Sequence, residues 1–242
     1  MTEPVFALRG VGKTRQDSGT AFELRVPDFV AAPGERLALV GESGCGKSTL
    51  LDLLGLALSP STAETFRFRG DGGGSEDIAA VWQQGDANRL GELRKRHIGY
   101  VLQTGALVPY LSVIDNIDLT RRLLGLPDDG TSQRLAQRLG LAGHLDKDPA
   151  ALSVGERQRV AIGRALAHRP AVILADEPTA SLDPHSAGRV MELFLELIEE
   201  TGATLIVATH DWHKLEGLGL RQVGHDLSRD EDAMVTRAAF WM

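Results

Sequence analysis

Apolar residues recur along this chain in two rhythms, and the switch between them marks out its elements. "AVILA" (171–175) and "ATLIVA" (203–208) are unbroken apolar runs of strand length, the pattern of strands covered on both faces of a parallel sheet. "RLALV" (36–40) is a third such run and leads straight into a glycine-rich loop. Elsewhere the spacing widens to three or four residues, the period of a helix with one buried face. "KSTLLDLLGLAL" (47–58) is dense enough in leucine for a buried helix, and "SVIDNIDLTRRLLGL" and "SQRLAQRLGLAGHL" predict a helical stretch from about Pro109 to Pro149. A further helix starts at Asp183-Pro184, carries Val190, Phe194, Leu197 and Ile198 as its apolar stripe, and stops at Gly202.

The flanks read as β structure. "VFALRGV" and "AFELRVPDFV" are β-like runs on either side of the polar turn "GKTRQDSG". "FRFRGDGGGSEDIAAVW" (66–82) reads as a strand, a glycine turn and a second strand, and "LRQVGHDLSRDEDAMVTRAAFWM" (220–242) as a short β-rich ending. The whole pattern is α/β: a parallel sheet core over about 1–104 and 168–242, an N-terminal antiparallel β subdomain, and a helical lobe inserted at about 105–167.

Composition narrows the function classes. The 242 residues are 43% hydrophobic and 24% charged, ordinary for a globular protein. A net charge of -7 makes nucleic acid a poor default partner. The start "MTEPVFALRG" lacks the basic and apolar blocks of a secretory signal, and no apolar window approaches membrane-spanning length. Cys45 is the one cysteine, so no disulfide forms within the chain.

The chemistry concentrates in three stretches. "GESGCGKST" places Gly41, Glu42, Ser43, Gly44, Cys45, Gly46, Lys47, Ser48 and Thr49 between a strand and a helix, matching G-x-x-x-x-G-K-[ST]. Glycines let backbone N–H groups turn onto a phosphate, Lys47 reaches β- and γ-phosphates, and the Ser48 hydroxyl can ligate Mg²⁺. Cys45 reads as a small filler of the loop. "VILADEP" ends an apolar strand on Asp176 and Glu177, one carboxylate suited to a metal and the other to an attacking water. In "LSVGERQRV", Ser153 is an N-cap at a helix start.

With these motifs in order, the chain resembles the ATP-binding cassette (ABC) family of transporter ATPases over roughly residues 5 to 215. Gly41–Thr49 is like the Walker A loop of its P-loop NTPase core, "VILADEP" like Walker B, and Gln103 in "GYVLQTGALVP" like the Q-loop glutamine. "LSVGE" resembles the signature, "SLDP" the D-loop and "ATHD" the switch region. The resemblance implies a single nucleotide-binding domain over 1–242 that hydrolyses ATP with Mg²⁺ as a head-to-tail homodimer. Ser48 and Asp176 would serve the metal, Gln103 would touch the metal or the attacking water, Glu177 would be the catalytic base or water-orienting carboxylate, and His210 would contact the γ-phosphate. Ser153, Gly155 and Glu156 would act in trans, and Asp183 would couple the two sites. It further implies a separate membrane permease and a peripheral place on the cytoplasmic face of the inner membrane.

Several positions depart from the family's pattern. Its adenine-stacking aromatic is replaced near "GKTRQ" by Arg15, with Phe6 and Phe22 close in sequence. The signature's common form is L-S-G-G-Q, so Val154 and Glu156 are departures, the latter an anion near phosphates. Arg94, Lys95 and Arg96 read as a solvated face. Leu107, Val108, Tyr110 and Leu111 fit either a permease-receiving groove or the core of the lobe. "LRKRHIGYVLQ" and "LSVGERQRVAIGRALAHRP" resemble the lipoprotein-releasing and macrolide-exporter subgroup. The alternatives are a soluble ABC ATPase of DNA repair or translation and a non-catalytic nucleotide-gated scaffold. The first lacks its expected insertions, and intact Lys47, Asp176, Glu177 and His210 argue against the second.

Overall fold

The computed structural model describes residues 3–17, 20–212, 215–230 and 234–242. A ten-stranded mixed sheet runs through it. Its strands are β1 (Phe6–Asp17), β2 (Thr20–Ala31), β3 (Arg36–Val40), β4 (Thr65–Phe68), β5 (Glu76–Asp77), β6 (Ile98–Val101), β7 (Val172–Asp176), β8 (Thr204–Thr209), β9 (Arg221–Asp230) and β10 (Val235–Trp241). They lie in the order β5-β4-β1-β2-β10-β9-β3-β8-β7-β6. From β9 to β6 every neighbouring pair is parallel, and from β2 to β5 every pair is antiparallel. The C-terminal pair β9 and β10 joins the two regions, β10 running parallel to β2 and β9 parallel to β3.

The unbroken apolar runs arise because β3, β7 and β8 are covered on both faces. Val172 and Leu174 of β7 pack with Leu50, Leu54 and the antiparallel strands, while Ile173 and Ala175 pack toward the helices on the other side. Successive strand residues point to opposite faces, so two covered faces leave no polar position in the run. Leu174 is fully buried; truncating such a leucine to alanine costs about 2–5 kcal/mol.

Seven helices complete the described fold: α1 (Lys47–Leu54), α2 (Ile78–Gln84), α3 (Ala87–His97), α4 (Val113–Leu123), α5 (Thr131–Arg138), α6 (Val154–Leu166) and α7 (Pro184–Thr201). Helix α7 begins where its sequence said it would, with Asp183 accepting from the Ser186 N–H at 3.1 Å and Pro184 in the first turn. Gly202, at φ 69°, closes it. Helix α4 packs mainly on α6, and the buried Asn116 pins the preceding loop. Its side chain accepts from the Val108 N–H and donates to the carbonyls of Val108, Leu111 and Ser112.

Three expectations change. "IAAVW" belongs to helix α2, not to a strand: Asp77 caps it through the Ala80 N–H at 3.1 Å, and Ile78 and Val81 bury at helical spacing. "GKTRQDSG" is not all turn, because Gly12 to Asp17 continue β1 and Arg15 pairs with Phe22 across the ladder, while Ser18 and Gly19 lie outside the described residues. Arg94 is not part of a solvated face. It is half-buried on α3 and donates to the Leu56 carbonyl at 2.5 Å beyond the end of α1; Lys95 pairs with Glu92, and Arg96 is exposed. No helix among the described residues is long and apolar enough to cross a membrane.

Candidate nucleotide site

Helix α1 starts without a side-chain cap. Gly46 sits at its N-cap with φ 96°, and no acidic residue occupies the first turn. Unpaired N–H groups and the positive end of the helix dipole therefore face outward together, a site for an anion. Glycine is required at 46 twice over: φ 96° disfavours a side chain, and a Cβ there would lie 2.9 Å from the Phe22 ring. Lys47 is buried and curls back on the loop, donating to the carbonyls of Gly41 at 2.6 Å and Glu42 at 2.8 Å. An ammonium has three donors, and the third meets only the Cys45 Sγ, a weak acceptor that a phosphate oxygen can displace. Cys45 is buried below the loop with its Sγ 3.8 Å from the Lys47 Nζ.

The carboxylates arrive from the far side. Asp176 ends β7 half-buried and hydrogen-bonded to the Ser48 hydroxyl. Burial pushes its carboxyl above the usual range, the Ser48 bond opposes this, and the Glu177 charge adds to the rise. Glu177 follows with φ 44°, a left-handed conformation that costs a residue with a side chain about 1–2 kcal/mol. Its N–H is held by the Ala208 carbonyl at 3.0 Å. Its Oε2 lies 2.9 Å from Nδ1 of His210, just past the end of β8.

These groups enclose one cavity of about 590 Å³, with Arg15, Phe22, Ser43, Gly44, Gly46, Lys47, Ser48, Thr49, Gln103, Asp176, Glu177 and His210 on its wall. Hard oxygen donors from Ser48, Asp176 and the Gln103 amide suit Mg²⁺, which commonly completes its octahedron with water and substrate phosphates. Arg15 and Phe22 both stand at the mouth, whereas Phe6 is fully buried and contributes nothing to it. Gly41, Glu42 and Cys45 shape the loop without forming this wall.

Ser153, Gly155, Glu156 and Asp183 stand apart from the cavity. Ser153 caps α6 in a full capping box: its Oγ accepts from the Glu156 N–H at 3.3 Å, and Glu156 Oε2 accepts from the Ser153 N–H at 2.7 Å. The Ser153 hydroxyl also donates to Oε2 at 2.6 Å, and His144 Nε2 lies 3.1 Å from Oε1. These bonds, the Ser153 hydroxyl first, hold the Glu156 carboxyl below its usual range. Farther along α6, Arg164 donates to the carbonyls of Gly105 and Ala106 at 2.9 and 2.8 Å. It thereby clamps the loop after Gln103, in which Ala106 has φ 41°. Sequence reasoning missed Arg164, Asn116 and His144, since the partners of the first two are backbone carbonyls and amides that no motif encodes. Of the four groove residues, Tyr110 is 83% exposed, while Leu107, Val108 and Leu111 are half-buried and Leu107 packs on the core.

A profile described as ABC transporter matches residues 24–180. The lipoprotein-releasing system ATP-binding protein LolD of Idiomarina loihiensis is 38% identical over 90% of this chain and 93% of its own. LolD of Maricaulis maris is 40% identical over 90% and 92%. The macrolide export ATP-binding/permease protein MacB of Shigella flexneri is 42% identical over 74% of this chain and 26% of its own. Among solved structures, the dimeric post-hydrolysis state of the ATP-binding cassette MJ0796 bound to ADP and Pi superposes with a TM-score of 0.74. It shares 30% identity and covers 86% of this chain and 89% of that one.

Proposed function

The chain belongs to the ABC transporter family and is an ATP-hydrolysing, ATP-binding subunit of a transport system, and from that premise we propose how its residues divide the work. The observation that carries the proposal is the convergence of Lys47, Ser48, Gln103, Asp176, Glu177 and His210 on one cavity, with the Ser153 helix end outside it. The loop amides and Lys47 bind the β- and γ-phosphates of ATP. Arg15 and Phe22, facing each other across the β1–β2 ladder, form the platform for adenine. Mg²⁺, held by Ser48 and Gln103 with Asp176 in support, supplies charge neutralisation on the phosphates. Glu177 orients a water and takes its proton as the water oxygen attacks the γ-phosphorus and the bond to the β,γ-bridging oxygen breaks. His210, bonded to Glu177, keeps that carboxylate in place and reaches the γ-phosphate.

The α6 end of a second copy completes the cavity in a head-to-tail homodimer. Gly155 supports this reading. Inside its own subunit a Cβ there would come no closer than 3.6 Å to Leu182, so crowding within the subunit gives no reason for glycine. Asp183, at the start of α7, couples the two sites. A separate membrane permease docks on the segment that Asn116 pins, with Tyr110 presented to it, and keeps the subunit peripheral at the cytoplasmic face. The subgroup of ATPases is that of the lipoprotein-releasing and macrolide-exporting relatives.

The test is Ser153→Arg. ATP binding by the isolated chain should stay within threefold of the parent while turnover falls at least a hundredfold. Normal turnover in that variant would remove the role in trans.

A further inference from the structure

In the structure the Ser153 hydroxyl is already spent. It has one proton, and that proton goes to Glu156 Oε2 at 2.6 Å. A phosphate oxygen can only accept, so Ser153 can serve the opposite subunit's nucleotide only by taking its proton away from Glu156. A carboxylate is the stronger competitor for it than the glutamine of the common signature, because charge-assisted hydrogen bonds are about twice as strong as neutral ones. The half-site is therefore occupied by its own anion, and something has to draw that anion aside.

His144, in the short 3₁₀ turn Ala142–His144, is placed to do so. Its Nε2 lies 3.1 Å from Oε1, the Glu156 oxygen that does not touch Ser153. Its Nδ1 is buried without a hydrogen-bond partner. A buried lone pair is tolerated better there than a buried N–H, which assigns the ring proton to Nε2 and makes it a donor to Glu156. Both side chains are mostly buried, at 28% and 21% exposure, so water competes weakly for this bond.

We infer that His144 is a positioning residue of the signature half-site: it holds the Glu156 carboxylate through Oε1, so that Oε2 can release the Ser153 hydroxyl to the phosphate bound by the partner subunit. The inference rests on the proposed role of Ser153 in trans. It gives the departure from glutamine at 156 a compensating partner in a different element, 12 residues upstream in sequence.

A double-mutant cycle read by ATP turnover of the purified chain, at concentrations where rate per chain has saturated, tests this. His144→Ala should lower turnover five- to tenfold, chiefly through a higher KM for ATP, and should leave nucleotide affinity of the dilute monomer unchanged. In the Glu156→Gln background the same His144→Ala change should have less than a twofold effect, since no carboxylate remains to be held. His144→Gln, which keeps a donor for Oε1, should retain at least half of parental turnover and guards against a folding defect in His144→Ala. An equal loss in both backgrounds, no loss in the parent, or a weakened monomer affinity would each overturn the assignment. Failure of the underlying reading looks different: Ser153→Arg would then turn over normally, whereas failure of this inference leaves Ser153→Arg inactive and the His144 effect unrescued.

Discussion

Asp176 and Glu177 are neighbours in sequence with opposite difficulties. Asp176 carries a charge that burial opposes, and Glu177 carries backbone strain at φ 44°. For Asp176 the sign of the linkage is clear: a raised folded pKa means the native state binds its proton more tightly than the unfolded chain. The ionised group therefore lowers stability at neutral pH, and the effect vanishes in acid. Asp176→Asn should then melt no lower than the parent at pH 7 without Mg²⁺ and nucleotide, by calorimetry, while losing the gain in Tm that Mg-ATP gives the parent. Gly46→Ala works against geometry instead. Positive φ and the Phe22 ring should cost about 1–3 kcal/mol in urea unfolding and weaken ATP binding more than tenfold by fluorescence titration. The loop residues were legible because their chemistry lies in nine consecutive positions. The Arg15–Phe22 pairing was only half legible, since strand register brings together residues that sequence separates by seven.

At the scale of elements, helix α6 links two regions of the candidate site. Its first turn holds the capping box, and Arg164 grips the loop after Gln103. Arg164→Ala should free the Gly105 and Ala106 carbonyls and speed amide exchange over residues 103–107. Turnover should fall about tenfold, corresponding to ~1.4 kcal/mol of barrier, with monomer ATP affinity within threefold. An unchanged exchange rate would show that the clamp does not hold the loop. Ser153 and Asp183 announced their helices because caps are local signals. Helix α2 was misread because "IAAVW" is too short and too apolar for periodicity to separate helix from strand, although Asp77 and Gly85 were its cap signals.

For the whole molecule, two measurable properties follow. Turnover that needs Ser153 of a second copy should rise per chain with protein concentration and then saturate; a rate per chain independent of concentration down to nanomolar would contradict the head-to-tail dimer. Acid sensitivity has a named contributor in His168, which lies just past the end of α6 and whose burial pulls its imidazole down to about 4. Its ring is neutral in the fold but takes a proton near pH 6.5 once unfolded, so stability is present above pH 6.5 and lost as pH falls toward 4. Relative to His168→Leu, the parent should lose about 2 kcal/mol of unfolding free energy between pH 7 and pH 5. The parallel half of the sheet was readable from its apolar runs, and the inserted helices from their spacing. The seat of the last two strands was not, because their partners lie some 200 residues upstream and their own pattern is mixed.

That seat has a consequence for how the chain is made. Strands β9 and β10 join β2 to β3, although β2 and β3 are adjacent in sequence and emerge from the ribosome together. The antiparallel strands and the parallel sheet cannot be joined into one sheet until residues 221–241 have been translated. A nonsense mutation that removes residues 221–242 should therefore leave two unjoined sheet edges and a target for proteolysis, not a slightly shortened ATPase.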